Sequence, residues 1–258
     1  MRIQLLTIAM ALAPALLPAA IIGPDTFGYN GRSNSDPGGI AFNWTDISGT
    51  GTRLGQGDDL VFTTALGSGF TFYGNTYTSA NVSTNGNIQF NSSSAAYVNG
   101  SLPAIGFGAT IFAFWDDIFF NGAPQGVYYQ YFAAGVHPGL SGPTSVMQWT
   151  GVYCCSGSSL ILVQVQALLE HTTGRILMQY DNADAGGRGT GNSATIGIQA
   201  GGTFGSTSLQ WLSNGGGQPV SPQSTVLFSA VPEPGSYALM GAGLVGLSML
   251  GRIRRRKI

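Results

Sequence analysis

The chain has 258 residues, of which 43% are apolar and 8% charged, with 40 glycines. Between Pro24 and Ala230 it holds four arginines (Arg32, Arg53, Arg175, Arg188), no lysine and ten acids, so this stretch carries four minus ten, or −6. Such a body cannot neutralise a phosphate backbone, which argues against a nucleic-acid partner, and its low charge and high glycine suit an exported, turn-rich β protein.

The first residues, MRIQLLTIAMALAPALLPAA, place one arginine before an apolar run and then small residues. That order is read as a secretory signal peptide over 1–23, cut between Ala19 and Gly23. A buried helix is disfavoured, because proline in a helix interior costs about 3 kcal/mol and both Pro14 and Pro18 lie in the run.

Residues 24–230 are read as one secreted all-β domain. Apolar and polar residues alternate over short segments separated by Gly, Asn and Ser clusters. Strands are expected at 40–47, 59–64, 70–73, 76–83, 87–91 and 111–115. More follow at 126–132, 145–153, 159–170, 175–180, 194–199, 208–212 and 224–228. Gly74-Asn75 and Asn85-Gly86 are expected as tight turns, and 159–170 as a strand with a register change. About a dozen short strands at this spacing predict an antiparallel β-sandwich or related barrel.

The motifs that carry common chemistries are missing from the sequence: no G-x-S-x-G, no H-E-x-x-H and no phosphate-binding G-x-x-x-x-G-K-[ST]. His137 and His171 fall in Gly- and Thr-rich loops and are read as solvated. Cys154 and Cys155 are adjacent and cannot staple distant strands. In an oxidising compartment they form a vicinal disulfide, an intermolecular bridge or two thiols. Two acidic pairs, Asp58-Asp59 and Asp116-Asp117, stand at strand ends. They are candidate calcium ligands, with turn formation as the plainer role. They are also the carboxylates a secreted carbohydrate-active enzyme would use, which is the alternative function. Tyr73, Tyr77, Tyr97, Tyr128, Tyr129, Tyr131 and Trp211 could face glycans, although core packing is the commoner fate of such rings. Trp44, Trp115 and Trp149 are expected in the core.

The segments VSTNGNIQF, IFAFWDDI, GVYYQ, RILMQY and ATIGIQ occur in that order between Val82 and Gln199. Together with the opening GGIAFNWTDISGTGT, they resemble a bacterial β-sandwich module similar to the nidogen extracellular domain. The resemblance covers about residues 38–229 and implies a non-catalytic extracellular module.

The chain closes on VPEPGSYALMGAGLVGLSMLGRIRRRKI, residues 231–258. Residues 236–251 are 16 positions without a charge. As a helix they would reach about 24 Å, short but sufficient for a transmembrane span of a hydrocarbon core about 30 Å thick. Arg252, Arg254, Arg255, Arg256 and Lys257 follow, a cluster that stays cytoplasmic while the body is exported. Pro232-Glu233-Pro234, the apolar stretch and this basic cluster resemble the PEP-CTERM sorting signal. The resemblance implies processing by exosortase near Pro232-Glu233-Pro234. It also implies delivery to the envelope, or to the exopolysaccharide or biofilm matrix, of a Gram-negative bacterium. The expected partners are therefore exosortase, the membrane before processing, and matrix components such as exopolysaccharide.

Overall fold

The computed structural model describes residues 21–153, 163–183, 193–202 and 206–230. Residues 1–20 of the expected signal peptide (1–23), Cys154 and Cys155, and the sorting tail 231–258 lie outside the described residues; residues 21–23 are described, and Ile22 pairs with Gly31. Among the described residues no helix is long and apolar enough to cross a membrane.

The strands in chain order are β1 (Tyr29–Ser33), β2 (Thr52–Gly55), β3 (Val61–Phe72), β4 (Asn75–Ser83), β5 (Asn87–Gln89), β6 (Thr110–Trp115), β7 (Ile118–Phe119) and β8 (Gly126–Phe132). They continue as β9 (Thr144–Tyr153), β10 (Val163–Glu170), β11 (Ile176–Asn182), β12 (Thr195–Gln199), β13 (Ser208–Ser213), β14 (Gly216–Gly217) and β15 (Ser224–Ala230). Two antiparallel sheets result. One runs β1-β15-β11-β10-β9-β8-β2, with β7 added beside β9, and the other runs β14-β13-β12-β6-β5-β4-β3. The β-sandwich expected from the alternation is what forms.

The inward positions of both sheets supply one continuous core. From the first sheet come Trp149, Val165, Met178, Tyr180 and Phe228; from the second come Phe70, Phe72, Val82, Ile88, Ile111 and Ile196. Two buried polar tips in this core find partners on the opposing sheet: Trp149 Nε1 donates to Ser83 O (2.8 Å) and the Tyr180 hydroxyl to Ala113 O (2.9 Å). Each bond satisfies a group that would otherwise be costly in an apolar interior.

Turn chemistry is local. Tyr73 (φ 46°) and Gly74 (φ 78°) form the two-residue turn between β3 and β4, one residue earlier than expected. Gly86 (φ 71°) passes so close to β6 that a Cβ there would stand 1.9 Å from Phe114 O. Only glycine fits both the conformation and the approach.

Several expectations need correction. Segment 40–47 is not a strand. It crosses the outer face of the first sheet, and its backbone groups are bound by side chains instead of a neighbouring strand. Thr225 Oγ1 donates to Ile40 O (2.6 Å), Asn43 N donates to Gln179 Oε1 (2.9 Å), Gln166 Nε2 donates to Thr45 O (2.6 Å) and Ile47 N donates to Gln148 Oε1 (3.0 Å). Trp44, expected in the core, is half-buried on this strap and stacks on Phe42 at 6.3 Å. The segments 59–64 and 70–73 are one strand, β3, with a register irregularity between Ala65 and Phe70. The register change expected in 159–170 falls at Gln164/Val165. β1, β2, β7 and β14 were not anticipated, since each is short and contributes at most two apolar side chains.

Part of each outer face is covered in this way. Beneath the 40–47 strap, Gln148, Gln166, Gln179 and Thr225 stand side by side on β9, β10, β11 and β15. The next row, Val146, Leu168, Leu177 and Leu227, forms a second core with Ile40, Ile47 and Leu140. On the second sheet, residues 91–109 are held by Gln89, Gln199, Gln210 and Asn91. Phe107 packs there on Phe112 and Trp115. Amide side chains suit this task because each carries both donors and acceptors and can complete an irregular backbone.

Candidate functional site

The acidic pairs lie at one corner of the sandwich, where the β2–β3 connection meets the β6–β7 connection. Carboxylate oxygens of Asp58, Asp59 and Asp117 lie within 4.8 Å of one another. Asp59 adopts φ 50° and accepts a hydrogen bond from Asn85 Nδ2 (2.8 Å). Asn85 also accepts from Ile118 N (3.2 Å), so one amide ties the two connections together. Desolvation and the neighbouring Asp59 charge raise the pKa of Asp58. Asp116 departs from the expected set. It is buried, takes the Ser193 hydroxyl at 2.6 Å, and caps its own neighbour by accepting from Asp117 N (2.9 Å). Three of the four candidate carboxylates therefore converge. Their spacing suits one calcium ion, which takes oxygen ligands at about 2.3–2.6 Å.

The two histidines are not solvated loop residues. His137 is 3% exposed, its Nδ1 accepts from Gly139 N (3.0 Å), and burial lowers its pKa. His171 packs edge-on against Phe70 and Tyr131 and joins the two sheets. Its Nδ1 meets Gly69 O at 3.0 Å and its Nε2 meets Ser145 Oγ at 2.9 Å. A carbonyl only accepts, so Nδ1 carries a proton. The serine–histidine contact has the outline of a nucleophile and its base. However, Ser145 is fully buried and its hydroxyl donates to Leu66 O (2.8 Å). A substrate carbonyl has no path to it, and the pair instead ties β9 to the irregular stretch of β3.

An aromatic pocket of about 340 Å³ opens beside the end of the last strand, lined by Phe27, Tyr29, Tyr73, Thr71, His171 and Thr173 among others. Asp25 organises it. One carboxylate oxygen accepts from Phe27 N and Tyr29 N, both at 2.9 Å, and the other accepts the Tyr73 hydroxyl at 2.9 Å. Burial pushes the Tyr29 phenol up to about 12 and, with the Asp25 charge, raises Tyr73 still further, so both rings stay neutral. Phe27 is 51% exposed and meets Tyr73 edge-on at 5.2 Å. Of these residues Tyr73 and His171 were singled out from sequence, the first as a ring that could face glycans and the second as a solvated loop residue. The Asp25-Thr26-Phe27-Gly28-Tyr29 run, an Asx turn between alternating aromatics, was the available signal for the rest.

The other aromatic candidates divide. Trp211 and Tyr128 are buried, Tyr77, Tyr129 and Tyr131 are half-buried, and Tyr97 is exposed. The expected sorting residues Pro232, Glu233, Pro234, Arg252, Arg254, Arg255, Arg256 and Lys257 lie outside the described residues.

Comparison with known families gives two matches. The model described as NIDO related matches residues 39–237, and the model of the PEP-CTERM protein-sorting motif matches residues 230–256. No curated protein and no solved structure matches the chain.

Proposed function

We propose that this chain, which belongs to the NIDO-related family and carries a PEP-CTERM protein-sorting motif, acts as a non-enzymatic β-sandwich module of the cell envelope or exopolysaccharide matrix. The motif makes it an exported protein, transiently anchored in the membrane and recognised by exosortase. The observation that carries the reading is position: the motif match begins at residue 230, the residue on which the last strand ends. A complete sandwich is thus followed at once by its address.

A binding or structural role for the body is supported by how its polar residues are used. Strand-face recognition by Asn, Ser and Thr is confined to β3 and β4, where Thr63, Thr71, Thr76 and Thr78 stay exposed, because the outward amides of the other strands hold the protein's own straps. Recognition otherwise falls to loops and to the Phe27–Tyr73 pocket. Neutral rings beside threonine hydroxyls suit the apolar face and hydroxyl edge of a sugar. Calcium at Asp58, Asp59 and Asp117 belongs to the same proposal, as an ion that fixes the corner.

The test is made on purified chain with polysaccharides of the host matrix. Binding without turnover, weakened by Phe27→Ala, is the expected result. Turnover lost on changing Asp58, Asp59 and Asp117 to Asn would replace the module with the carbohydrate-active enzyme. In the native host, deleting exosortase should accumulate a longer, membrane-held form.

A further inference from the structure

The last strand is held unevenly. β15 pairs with β11 from Tyr180↔Ser224 to Ile176↔Phe228, and that ladder stops there. On its other side it pairs with β1 through to the end, as Phe228↔Gly31, Ser229↔Asn30 and Ala230↔Tyr29. Among the described residues, Ser229 and Ala230 are therefore paired on one side only, and Ala230 borders the open pocket. β1 itself is firmly seated: Tyr29 and Asn30 are each 5% exposed, Asp25 binds the Tyr29 amide, and Arg32 Nη2 donates to Asn30 Oδ1 (2.6 Å).

In sequence, a single residue, Val231, separates this paired end from Pro232. Enzymes that process a peptide hold it as an extended strand, with its backbone groups free to pair with the enzyme. The residues immediately upstream of Pro232-Glu233-Pro234 are Val231, Ala230 and Ser229, and the backbone of two of these is engaged with β1. The same groups cannot serve both partners.

We propose that the Asn30↔Ser229 and Tyr29↔Ala230 pairs form a gate on sorting: exosortase gains its full grip on the motif only when these two pairs open. The proposal rests on the sorting reading above. Opening is local, since Phe228 remains paired on both sides and anchored in the core. β1 stays in place while the end of β15 peels. The device makes the rate of processing depend on the edge of the folded body as well as on the motif.

Two variants of the full-length chain, followed by pulse-chase in the native host, test it. The first inserts Gly-Ser-Gly-Ser between Ala230 and Val231, giving exosortase free strand without opening the sheet. It should be processed roughly threefold faster or more, as expected when cleavage tracks the open population. The second joins Asn30→Cys to Ser229→Cys, a directly opposed pair within disulfide reach. It should be processed severalfold more slowly than wild type while oxidised, and at the rate of the Asn30→Cys single variant once reduced. Circular dichroism of the purified chains checks that each body is folded. A folded, oxidised double variant processed at the wild-type rate would overturn the gate. If that variant does not fold, an unchanged rate in the insertion variant overturns it alone. No processing of the wild-type chain at all would sink the sorting reading and the gate together, whereas normal processing indifferent to both changes would sink only the gate.

Discussion

Glu170 ends β10 with its side chain fully buried and both carboxylate oxygens occupied. Ser141 N and Gly142 N donate to Oε1, each at 2.9 Å, while Thr173 Oγ1 and Arg175 Nε donate to Oε2, the latter at 2.7 Å. Burial opposes the charge, but the Arg175, Thr173 and Gly142 bonds outweigh it and lower the pKa from 4.5 to about 2. A depressed carboxylate stabilises the fold fully above its unfolded pKa, and the contribution is lost as pH falls through the folded value. Unfolding by urea should therefore become easier between pH 4.5 and about 2, by at most roughly 3 kcal/mol from this residue. Glu170→Gln should flatten that dependence and cost about 2 kcal/mol at pH 7; an unchanged acid limb would show that Glu170 does not set it. Asp58 has the opposite sign. Its raised pKa means that the folded state holds the proton more tightly, so the penalty exists at neutral pH and is relieved on acidification. In EDTA, Asp58→Asn should raise the Tm by roughly 1–2 °C. In millimolar calcium a shared ion would reverse the order, with the wild type gaining Tm and the variant not. The acidic corner could be read from sequence because adjacent carboxylates stand out in a chain with few charges. The burial of Asp116 and His137 could not, because it depends on strands and loops distant in sequence.

At the scale of elements, the straps depend on rows of outward amides. Replacing Gln166 with leucine keeps much of its volume but leaves Thr45 O without its donor, takes the Gln166 acceptor from Gln179 Nε2, and removes one of the two donors to Gln148 Oε1. The expected loss is about 2–4 kcal/mol, the cost of more than one unsatisfied buried group. Amide hydrogen exchange should quicken at Asn43 and Ile47, whose donors bind the same row. Exchange unchanged at both positions would mean that the strap is held by Ile40 and Ile47 packing alone. These rows explain what the sequence revealed and what it hid. Val163–Glu170 and Ile176–Asn182 were legible as strands from their alternation and β-branched content. Segment 40–47 alternates just as well, with Ile40, Phe42 and Trp44, yet it lies across strands instead of beside one. Alternation records which residues face the protein and not which backbone they pair with. Glutamine at an outward position has the same pattern whether solvent or a strap lies over it, and only the structure shows which.

For the whole molecule, the sequence carried the sandwich and the address almost independently. Turn spacing and apolar alternation gave the first. The ordered parts Pro232-Glu233-Pro234, the uncharged stretch 236–251 and the terminal arginines gave the second, which matches the sorting motif over 230–256. The join between them was not legible. β1 is a short strand of few apolar residues, and nothing local in Tyr29–Ser33 announces that it will pair with the last strand of the body. That pairing brings the beginning of the body against its end, one residue short of Pro232-Glu233-Pro234. The central claim, that this body is delivered by removal of its tail, is tested most directly by the intact mass of the protein recovered from the surface of its native host. The account predicts a carboxyl terminus between Val231 and Gly235, without the cluster from Arg252 to Lys257. A surface protein whose mass includes residues 236–258 would contradict it and leave a β-sandwich that simply keeps its anchor.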